Sequence, residues 1–356
     1  MSNFIEFLKI VVFGVVEGFT EWLPISSTGH LILVENIVHL NVSEEFMNVF
    51  RVVIQLGAIL AVLVLYFRRL NPFDRGKKPA QKRATWHLWF KIIIACLPAA
   101  VIGILLDEVL DKYLYNPYVV VAMLIIYGVI FIAFENRNQH AEFRIKKVSQ
   151  ISYQTAFYIG LFQLLALIPG TSRSGATILG AMMLGCSRTA ASEFTFFLGI
   201  PVMFGASLLK ILHYGLAFSA MELFFMAAAM VIAFVVSMYS IQFLLGYVKK
   251  HDFKFFGYYR IVLGVIVLSS FRKNGNHIQT RIQELMQSGE FEPLCQDFQS
   301  TDAAFYDGLG LAVSPHYLLD FSNLQYGFSV YPLDQFYNVF KCNMVNGNPT
   351  TSNYIA

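Results

Sequence analysis

Long apolar runs alternate with short polar stretches along most of the chain. Six of these runs, with their flanks, are long enough to cross about 30 Å of hydrocarbon. They lie at 56–67, 92–106, 113–134, 194–209, 223–248 and 261–271. Because the runs are continuous instead of alternating, they predict transmembrane helices and not the strands of a barrel. The predicted fold class is therefore an all-α polytopic membrane protein.

Two further apolar regions, roughly 4–40 and 152–192, are interrupted by Pro, Gly and Ser. We expect each to form a re-entrant helical hairpin, one dipping from each side of the membrane, with the two tips meeting inside. Irregular backbone at that depth is tolerated only where it is buried in protein or lines a wet cavity. The two polar tips therefore predict a pocket.

A weak internal repeat relates these regions, with an offset of about 145 residues. GVVEGFTEWLPISS at 14–27 aligns with GLFQLLALIPGTS at 160–172 after one gap. The alignment pairs Gly14 with Gly160, Glu17 with Gln163, Pro24 with Pro169 and Ser27 with Ser172. Each half, about 1–150 and 151–272, has three crossings. Because three is odd, the second half is predicted to be inverted.

The distribution of charge orients the segments. Hydrophobic residues make up 56% of the chain and charged residues only 14%. Residues 68–91 contain eight Lys/Arg and one Asp, and basic residues also exceed acidic ones at 136–152 and 249–254. By the positive-inside rule these loops are predicted to be cytoplasmic, which places the loops at 107–116 and 213–221 outside.

Residues 273–356 differ from the rest of the chain. They contain three Lys/Arg and eight Asp/Glu, have no run that could cross a membrane, and are rich in aromatic residues. This composition predicts a separate aqueous appendage of unknown function, outside the cell by the topology above. It is expected to begin with a short helix within 276–291 that ends at Gly289. Cys295 and Cys342 both lie in the appendage and could pair, whereas Cys96 and Cys186 lie in apolar runs.

The first hairpin has an acidic and hydroxyl-rich tip, EGFTEWLPISSTGH at 17–30. Glu17 and Glu21 are four positions apart, so they share one face of a helix. Two carboxylates this close repel each other in a low-dielectric setting unless a cation lies between them.

After these glutamates the helix is predicted to end at Pro24. Ser26, Ser27 or Thr28 can cap the next helix, whose first amide groups would form an anion site. His30 is one turn beyond Ser27 and can reach the same space.

The second tip, PGTSRSGAT at 169–177, is again a helix entry. Ser172, Ser174 and Thr177 offer hydroxyls, and Gly175 lets the backbone approach a ligand. Arg173 requires an anionic partner at this depth, and its planar guanidinium suits two phosphate oxygens. The two tips together predict a phosphate cradle beside a hydrolytic group of carboxylates, a hydroxyl and an imidazole.

Each of these residues also has a structural explanation. Glu17 and Glu21 could neutralise Arg173, and His30 could be an interior histidine with satisfied hydrogen bonds. The hydroxyls that could equally be caps are those of Ser26, Thr28, Ser174 and Thr177. The residues predicted to support the site or end helices are Arg51, Gln55, Arg188 and Glu193.

Both tip motifs resemble those of the undecaprenyl-diphosphate phosphatase family, also called the bacitracin-resistance family. The resemblance covers about residues 1–272 and rests on GVVEGFTEWLPISSTGHLIL, PGTSRSGATILGAMMLG and SRTAASEFTFFLGIPVMFGA. It assigns Glu17, Glu21, Ser27, His30 and Arg173 as catalytic residues. The family's PGxSRSxxT motif maps onto Ser172, Ser174 and Thr177, which are predicted to bind phosphate together with Ser26 and Thr28 of the first tip.

The resemblance implies removal of the terminal phosphate from undecaprenyl diphosphate at the outer face of the bacterial inner membrane, which returns the lipid carrier to peptidoglycan synthesis. As a mechanism we expect that either Ser27 attacks, with His30 as its base or as the acid for the leaving phosphate, or Glu21 activates a water directly. The family is reported to use Mg²⁺ or Ca²⁺, for which Glu17 and Glu21 are the candidate ligands. No organic cofactor or nucleic-acid partner is expected, and the oligomeric state stays open, a homodimer included.

Two other classes of function fit the same pattern. Inverted repeats that meet at re-entrant tips also build secondary transporters, so the pocket could carry or flip an anionic lipid or small anion. A lipid-binding protein without catalysis is the third alternative. Release of phosphate by the purified protein separates the enzyme from both.

Overall fold

The computed structural model describes residues 2–114, 116–139, 142–214 and 218–288. Within these residues all regular secondary structure is helical. The α-helices are α1 (Ser2–Thr20), α2 (Ser27–Ile37), α3 (Glu44–Val53), α4 (Gln55–Leu65), α5 (Phe67–Leu70), α6 (Pro79–Leu114), α7 (Pro117–Arg137), α8 (Tyr153–Leu164), α9 (Arg173–Met183), α10 (Arg188–Tyr214), α11 (Ala220–Val248) and α12 (Lys254–Ser288). Short 3-10 helices lie at Val148–Gln150 and Leu165–Leu167. The prediction of an all-helical fold is confirmed for these residues.

Six helical stretches in the described residues are long and apolar enough to cross a membrane. They are Phe46–Leu65, Pro79–Gly103, Pro117–Arg137, Arg188–His213, Ala220–Val248 and Lys254–Phe271. At most half of each stretch is buried inside the protein, and many of the exposed side chains are large and apolar. Since such a surface is stable against lipid but not against water, the protein is a multi-pass membrane protein.

Local sequence explains where several of these spans begin. The side chain of Asn116 accepts a hydrogen bond from the Val119 amide, and Pro117 occupies the first position of α7. At the start of α11, Ser219 and Glu222 bond each other's backbone amides in a capping box. Both arrangements satisfy amide groups that the helix itself leaves without partners.

Two helix pairs are interrupted within otherwise apolar sequence. Helix α1 ends at Thr20 and α2 begins at Ser27, with the turn at residues 21–26 between them. Helix α8 ends at Leu164, and α9 begins at Arg173 after the second 3-10 helix. Within each pair the two helices pack against each other. These breaks fall inside the regions 4–40 and 152–192 that the sequence singled out.

Glycines allow the first helix of each pair to lie very close to a long span. A Cβ at Gly18 of α1 would lie 2.6 Å from the Ala233 carbonyl oxygen of α11. A Cβ at Gly160 of α8 would lie 2.3 Å from the Ala95 carbonyl oxygen of α6. Ser237 of α11 adds a hydrogen bond of 3.0 Å to the Gly18 carbonyl oxygen. Small residues at such crossings are typical of helix association in membranes.

The chain divides into a unit at Met1–Val267 and a unit at Leu268–Ala356. The described part of the second unit is the end of α12, which runs without interruption from Lys254 to Ser288. The sequence predicted a span that ends at 271 and a separate short helix within 276–291. The predicted break between them is wrong, because a single helix covers both regions as far as Ser288. The remainder of the appendage, with Cys295 and Cys342, lies outside the described residues.

Candidate functional site

Two serines with unusual backbone conformation mark the two interruptions. Ser26 has φ 71° and Ser172 has φ 70°, and they are the non-glycine residues with positive φ in the described part of the chain. Each caps the helix that follows: Ser26 accepts from the Gly29 amide at 3.4 Å and Ser172 from the Gly175 amide at 3.1 Å. Strained backbone of this kind persists where the surroundings enforce it, often at functional sites.

The two serines also correct the alignment of the repeat. The sequence alignment paired Ser27 with Ser172, whereas the residue that caps α2 as Ser172 caps α9 is Ser26. The gap placed before Ser27 is therefore unnecessary, and Ser27 has the same position in α2 that Arg173 has in α9. The first residue of each helix thus contributes a different functional group.

Glu21 connects the two tips. Its Oε1 accepts a hydrogen bond from Arg173 Nη2 at 3.0 Å, and its Oε2 accepts one from Ser27 Oγ at 2.7 Å. Both charged side chains are nearly buried, with 8% of Glu21 and 11% of Arg173 exposed. The Glu21 carboxylate therefore contacts both the Ser27 hydroxyl and the Arg173 guanidinium. The motifs that contain Glu21 and Arg173 are about 150 residues apart in the sequence.

The Arg173 guanidinium also contacts α10 and the Trp22 ring. Its Nη1 donates to the Thr195 carbonyl oxygen of α10 at 3.1 Å, and its guanidinium carbon lies 5.5 Å from the centre of the Trp22 ring. The guanidinium fits there because α10 has Gly199 at that place, where a Cβ would lie 2.9 Å from both terminal nitrogens. Within the described residues its Nε is buried without a hydrogen-bond partner. One donor of the guanidinium is thus available to an anion.

Glu17 is fully buried beside this group. The backbone continues helically from it, since the Glu21 amide donates to the Glu17 carbonyl oxygen at 3.0 Å, which places both side chains on one face. Neither carboxylate oxygen of Glu17 has a hydrogen-bond partner among the described residues. A buried carboxyl group without partners is costly, so it indicates a proton, a cation or a ligand at this position.

His30 points away from Ser27. Its Nδ1 is 2.7 Å from the Ser26 carbonyl oxygen, its Nε2 is 2.8 Å from the Tyr259 hydroxyl, and the His30 and Tyr259 rings are stacked. Both ring nitrogens are therefore occupied by groups other than Ser27. The group that accepts the hydrogen bond of the Ser27 hydroxyl is Glu21.

Several predicted hydroxyls bond to the backbone. Ser174 Oγ donates to the carbonyl oxygens of Glu21 at 3.1 Å and Leu23 at 3.0 Å, which ties the second tip to the first. Thr177 Oγ1 donates to the Arg173 carbonyl oxygen at 2.8 Å and accepts from Thr195 Oγ1 at 2.9 Å. These contacts favour the structural alternative for both residues. Thr28 is half-buried on the first turn of α2.

Arg260 joins the two tips, and the sequence analysis did not single it out. It is fully buried, and its guanidinium donates to the carbonyl oxygens of Pro24 at the first tip and of Gly170 and Thr171 at the second, at 2.8–3.3 Å. It lies one residue before the uncharged run at 261–271, so it resembled a charge at the end of a helix. The signal that could have found it is an arginine at membrane depth without a nearby acidic residue in sequence.

Three of the four residues predicted to support the site or end helices belong to ion pairs elsewhere. Arg188 contacts the fully buried Glu135 at 2.9 and 2.5 Å, Glu193 contacts Arg69 at 2.8 Å, and Arg51 contacts Glu35 at 2.5 and 2.8 Å. Gln55 is the first residue of α4 and is half-buried. The pair of Arg188 joins α10 to α7, and the pair of Arg51 joins α3 to α2. Their support of the site stays a prediction.

Comparisons with known proteins point to one family. The family model described as "Bacitracin resistance protein BacA" matches residues 10–266. The undecaprenyl-diphosphatase of Desulfitobacterium hafniense is 58% identical over 268 residues, which cover 75% of this chain and 96% of that protein. Those of Streptococcus mutans and Enterococcus faecalis are 57% and 54% identical, and each match covers 96% or more of the relative and 74% or more of this chain. The matched region contains both tips and Arg260.

Proposed function

The chain belongs to the bacitracin resistance protein BacA family, and we propose that the group formed by Glu17, Glu21, Ser27 and Arg173 is where it hydrolyses undecaprenyl diphosphate. The activity itself is that of an undecaprenyl-diphosphatase, a name that its relatives carry at 54–58% identity. The products are undecaprenyl phosphate and inorganic phosphate. The enzyme therefore recycles the lipid carrier of peptidoglycan synthesis and contributes to bacitracin resistance.

The observation that carries the assignment is the position of Glu21 between Ser27 and Arg173. One carboxylate oxygen accepts from the hydroxyl at 2.7 Å while the other accepts from the guanidinium at 3.0 Å. This arrangement is that of an activated hydroxyl beside a cationic group that binds phosphate. A purely structural ion pair would not require the hydroxyl at the first position of a helix.

The proposed reaction begins with attack of Ser27 Oγ on the terminal phosphorus. Its proton passes to Glu21, a bond forms between Oγ and phosphorus, and the bond from that phosphorus to the bridging oxygen breaks, so that undecaprenyl phosphate leaves. Water then cleaves the phosphoserine and releases inorganic phosphate. In the alternative, Glu21 takes the proton from a water that attacks directly, and Ser27 positions that water.

Arg173 is proposed to bind the terminal phosphate and to stabilise the charge that develops during transfer. Its free Nε and the nearby starts of α2 and α9 supply donors toward an anion. Glu21 would exchange part of its contact with Arg173 for a contact with the reacting group. Glu17 lies one helical turn before Glu21 on the same face, so its charge would act on Glu21.

A divalent cation is compatible with this donor set. Glu17 has two buried oxygens without partners, and hard cations such as Mg²⁺ and Ca²⁺ prefer oxygen ligands. The described residues contain no group of three or more side chains that could hold a metal by themselves. Glu17 and Glu21 would therefore hold the cation together with phosphate oxygens of the substrate, where it would neutralise charge on the diphosphate.

We also propose that the two halves form an inverted repeat with re-entrant hairpins. In support, α1 of the first half packs on α11 of the second, while α8 of the second half packs on α6 of the first. Gly14 and Gly160, paired by the alignment, both lie at these crossings. The two capping serines have nearly equal φ angles. Such reciprocal packing is expected when one half is inverted relative to the other.

The location is proposed to be the bacterial inner membrane, with the site open to the outer face and the appendage outside. The support is the basic composition of the loops at 68–91, 136–152 and 249–254. Substrate would enter sideways from lipid, because a C55 chain remains in the bilayer while its headgroup reaches the tips.

Phosphate release in detergent tests the assignment. We expect purified wild-type protein to release inorganic phosphate from undecaprenyl diphosphate, and Arg173→Ala to lower kcat by about a thousandfold, as loss of an arginine that stabilises phosphoryl transfer does. Arg75→Ala is the matched control, since Arg75 is an exposed arginine in the loop before α6 and lies outside the proposed site. No gradient exists in detergent, so a transporter would release no phosphate. Unchanged turnover in Arg173→Ala would refute the assignment of the site.

A further inference from the structure

His30 and Tyr259 form a pair between α2 and α12 that the proposed chemistry of hydrolysis does not use. Their rings are stacked with centres 5.6 Å apart, and His30 Nε2 lies 2.8 Å from the Tyr259 hydroxyl. On the other side of the imidazole, Nδ1 lies 2.7 Å from the Ser26 carbonyl oxygen. A chain of two contacts therefore leads from the hydroxyl of Tyr259 to the backbone of the first tip.

The Ser26 carbonyl fixes which nitrogen of His30 carries the proton. A carbonyl oxygen can only accept, so Nδ1 is the donor in this contact. In a neutral imidazole the other nitrogen, Nε2, is then an acceptor, and the Tyr259 hydroxyl donates to it. Tyr259 thus stabilises the one neutral tautomer of His30 that can bond to Ser26.

The carbonyl that His30 contacts belongs to a strained turn. Ser26 has φ 71°, a conformation that residues other than glycine adopt only where the surroundings enforce it. Its carbonyl group is part of the peptide that joins it to Ser27, whose hydroxyl donates to Glu21 at 2.7 Å. A change in the orientation of that peptide would move the Ser27 hydroxyl, because few bonds separate the two.

The second tip shows that such a turn does not need a histidine. Ser172 has φ 70° and caps α9 as Ser26 caps α2. The fourth residue of α2 is His30, whereas the fourth residue of α9 is Ala176. The Ala176 backbone amide donates to the Ser172 carbonyl oxygen at 2.9 Å. The same backbone conformation is therefore reached without a side-chain donor, and the additional donor is present at the tip that carries the Ser27 hydroxyl.

We propose that His30 and Tyr259 are positioning residues for the Ser27 hydroxyl and transfer no proton in the reaction. The Tyr259 hydroxyl holds the tautomer of His30, and His30 holds the Ser26 carbonyl. That carbonyl in turn fixes the peptide that carries Ser27. This role rests on the proposed function, in which Ser27 attacks or positions the attacking water. It replaces the role of base or acid that the sequence led us to expect for His30.

Tyr259→Phe removes the hydroxyl and keeps the stacked ring. We expect kcat for phosphate release from undecaprenyl diphosphate in detergent to fall about threefold to tenfold, the effect of one neutral hydrogen bond, with KM changed less than about twofold. Tyr258→Phe is the matched control and should leave both constants unchanged, since Tyr258 is the neighbouring tyrosine of α12 with 57% of its surface exposed. If Tyr259→Phe lowered only the melting temperature and retained wild-type kcat, the pair would simply join α2 to α12, and the proposal would be overturned.

Two substitutions of His30 separate positioning from proton transfer. Asparagine has its N–H groups near the place of Nδ1 and glutamine has them near the place of Nε2, and neither amide acts as an acid or a base. We expect His30→Asn, which can still donate to the Ser26 carbonyl, to stay within about tenfold of wild-type kcat. His30→Gln should fall about a hundredfold, as for a misplaced catalytic group. The same two substitutions at His39, exposed beyond the end of α2, are the control and should have no effect. Equal and large losses in both His30 variants would indicate acid–base catalysis and overturn the proposal.

The tautomer of His30 can be measured without any turnover. Nitrogen-15 spectra of the protein labelled in its histidine rings report which nitrogen carries the proton, and the signals absent from the spectrum of His30→Asn belong to His30. We expect a proton on Nδ1 alone, and a shift of the Nε2 signal in Tyr259→Phe. A proton on Nε2 would overturn the proposal. Failure of the proposed function is recognised separately, because it shows in the turnover of Arg173→Ala and not in these spectra.

Discussion

At Ser27, the contact with Glu21 is compatible with both routes of hydrolysis, so a substitution is needed to distinguish them. Its hydroxyl donates to Glu21 at 2.7 Å, and His30 is bonded to Ser26 and Tyr259 instead. If Ser27 is the nucleophile, Ser27→Ala should lower kcat by roughly a thousandfold or more, because residues that act as a unit lose most of their catalysis together. Rapid quenching of the wild type with substrate labelled at the terminal phosphate should trap labelled phosphoserine.

Ser207→Ala is the control for this experiment. Ser207 is also buried and donates to a carbonyl oxygen, that of Val52, at 3.0 Å. Its loss should lower thermal stability slightly and leave kcat near the wild-type value. Retention of most turnover by Ser27→Ala would exclude the covalent route and leave the water activated by Glu21.

Arg260 is expected to act through the backbone of both tips. Arg260→Lys keeps the charge but offers fewer donors in a different geometry, so Pro24, Gly170 and Thr171 lose part of their connection. We expect kcat to fall about a hundredfold with little change in KM, as for a misplaced catalytic group. Steady-state kinetics in detergent measures both constants.

Arg137→Lys is the conservative control, since Arg137 is exposed at the end of α7. It should leave both constants unchanged. If Arg260→Lys retained wild-type kcat, the connection between the tips would have no catalytic importance. If it lowered only the melting temperature, Arg260 would have a structural role alone.

Motif spacing was sufficient to predict that Glu21, Ser27 and Arg173 come together, because each lies within one turn of a helix break that the sequence makes visible. Their catalytic roles stay predictions. The contact between Ser27 and Glu21 crosses one such break and is local. In contrast, the partner of His30 is Tyr259, 229 residues away. A single sequence contains no signal for such a pairing, so the orientation of His30 could not be predicted.

At the scale of helices, the crossing of α1 and α11 depends on Gly18. A Cβ there would lie 2.6 Å from the Ala233 carbonyl oxygen, which belongs to the backbone and cannot move aside alone. Gly18→Ala should therefore lower the free energy of unfolding by about 1–3 kcal/mol, the usual cost of overpacking. Because α1 carries Glu17, activity should fall as well. Thermal unfolding in detergent and phosphate release are the measurements.

Gly246→Ala in α11 is the matched control. A Cβ at Gly246 would meet nothing within 4 Å, so the change should stabilise the helix by roughly 0.5–1 kcal/mol. An equal effect of both substitutions on stability would show that close approach is not the reason for glycine at position 18.

Predicted and observed helices agree best where composition alone decides the outcome. The six spans follow from length and hydropathy, and the breaks near Pro24 and Pro169 follow from backbone chemistry. Sequence pattern failed where helices continue through polar residues: α12 runs on to Ser288, although the predicted span ended at 271. Hydropathy reports where the hydrocarbon ends, but a helix leaving the membrane has no need to stop there.

For the whole molecule, the distribution of Lys and Arg predicts which loops are inside the cell. The prediction can be tested in a variant without its four native cysteines, into which single cysteines are introduced at Arg75, Gln139 or Ala220, all exposed positions. A maleimide that does not cross membranes should label Ala220→Cys on intact bacterial cells. Arg75→Cys and Gln139→Cys should react only after the cells are opened.

The physical reason is the cost of translocating many basic residues, which residues 68–91 and 136–152 contain and the loop at 213–221 does not. Labelling of Arg75→Cys on intact cells would reverse the proposed orientation. The appendage would then lie inside. The reason is that α10, α11 and α12 are each long enough to cross the membrane, and three crossings after Gln139 bring the chain to the side opposite Gln139. The labels at Gln139 and Ala220 therefore test the crossing through α10 together with its direction.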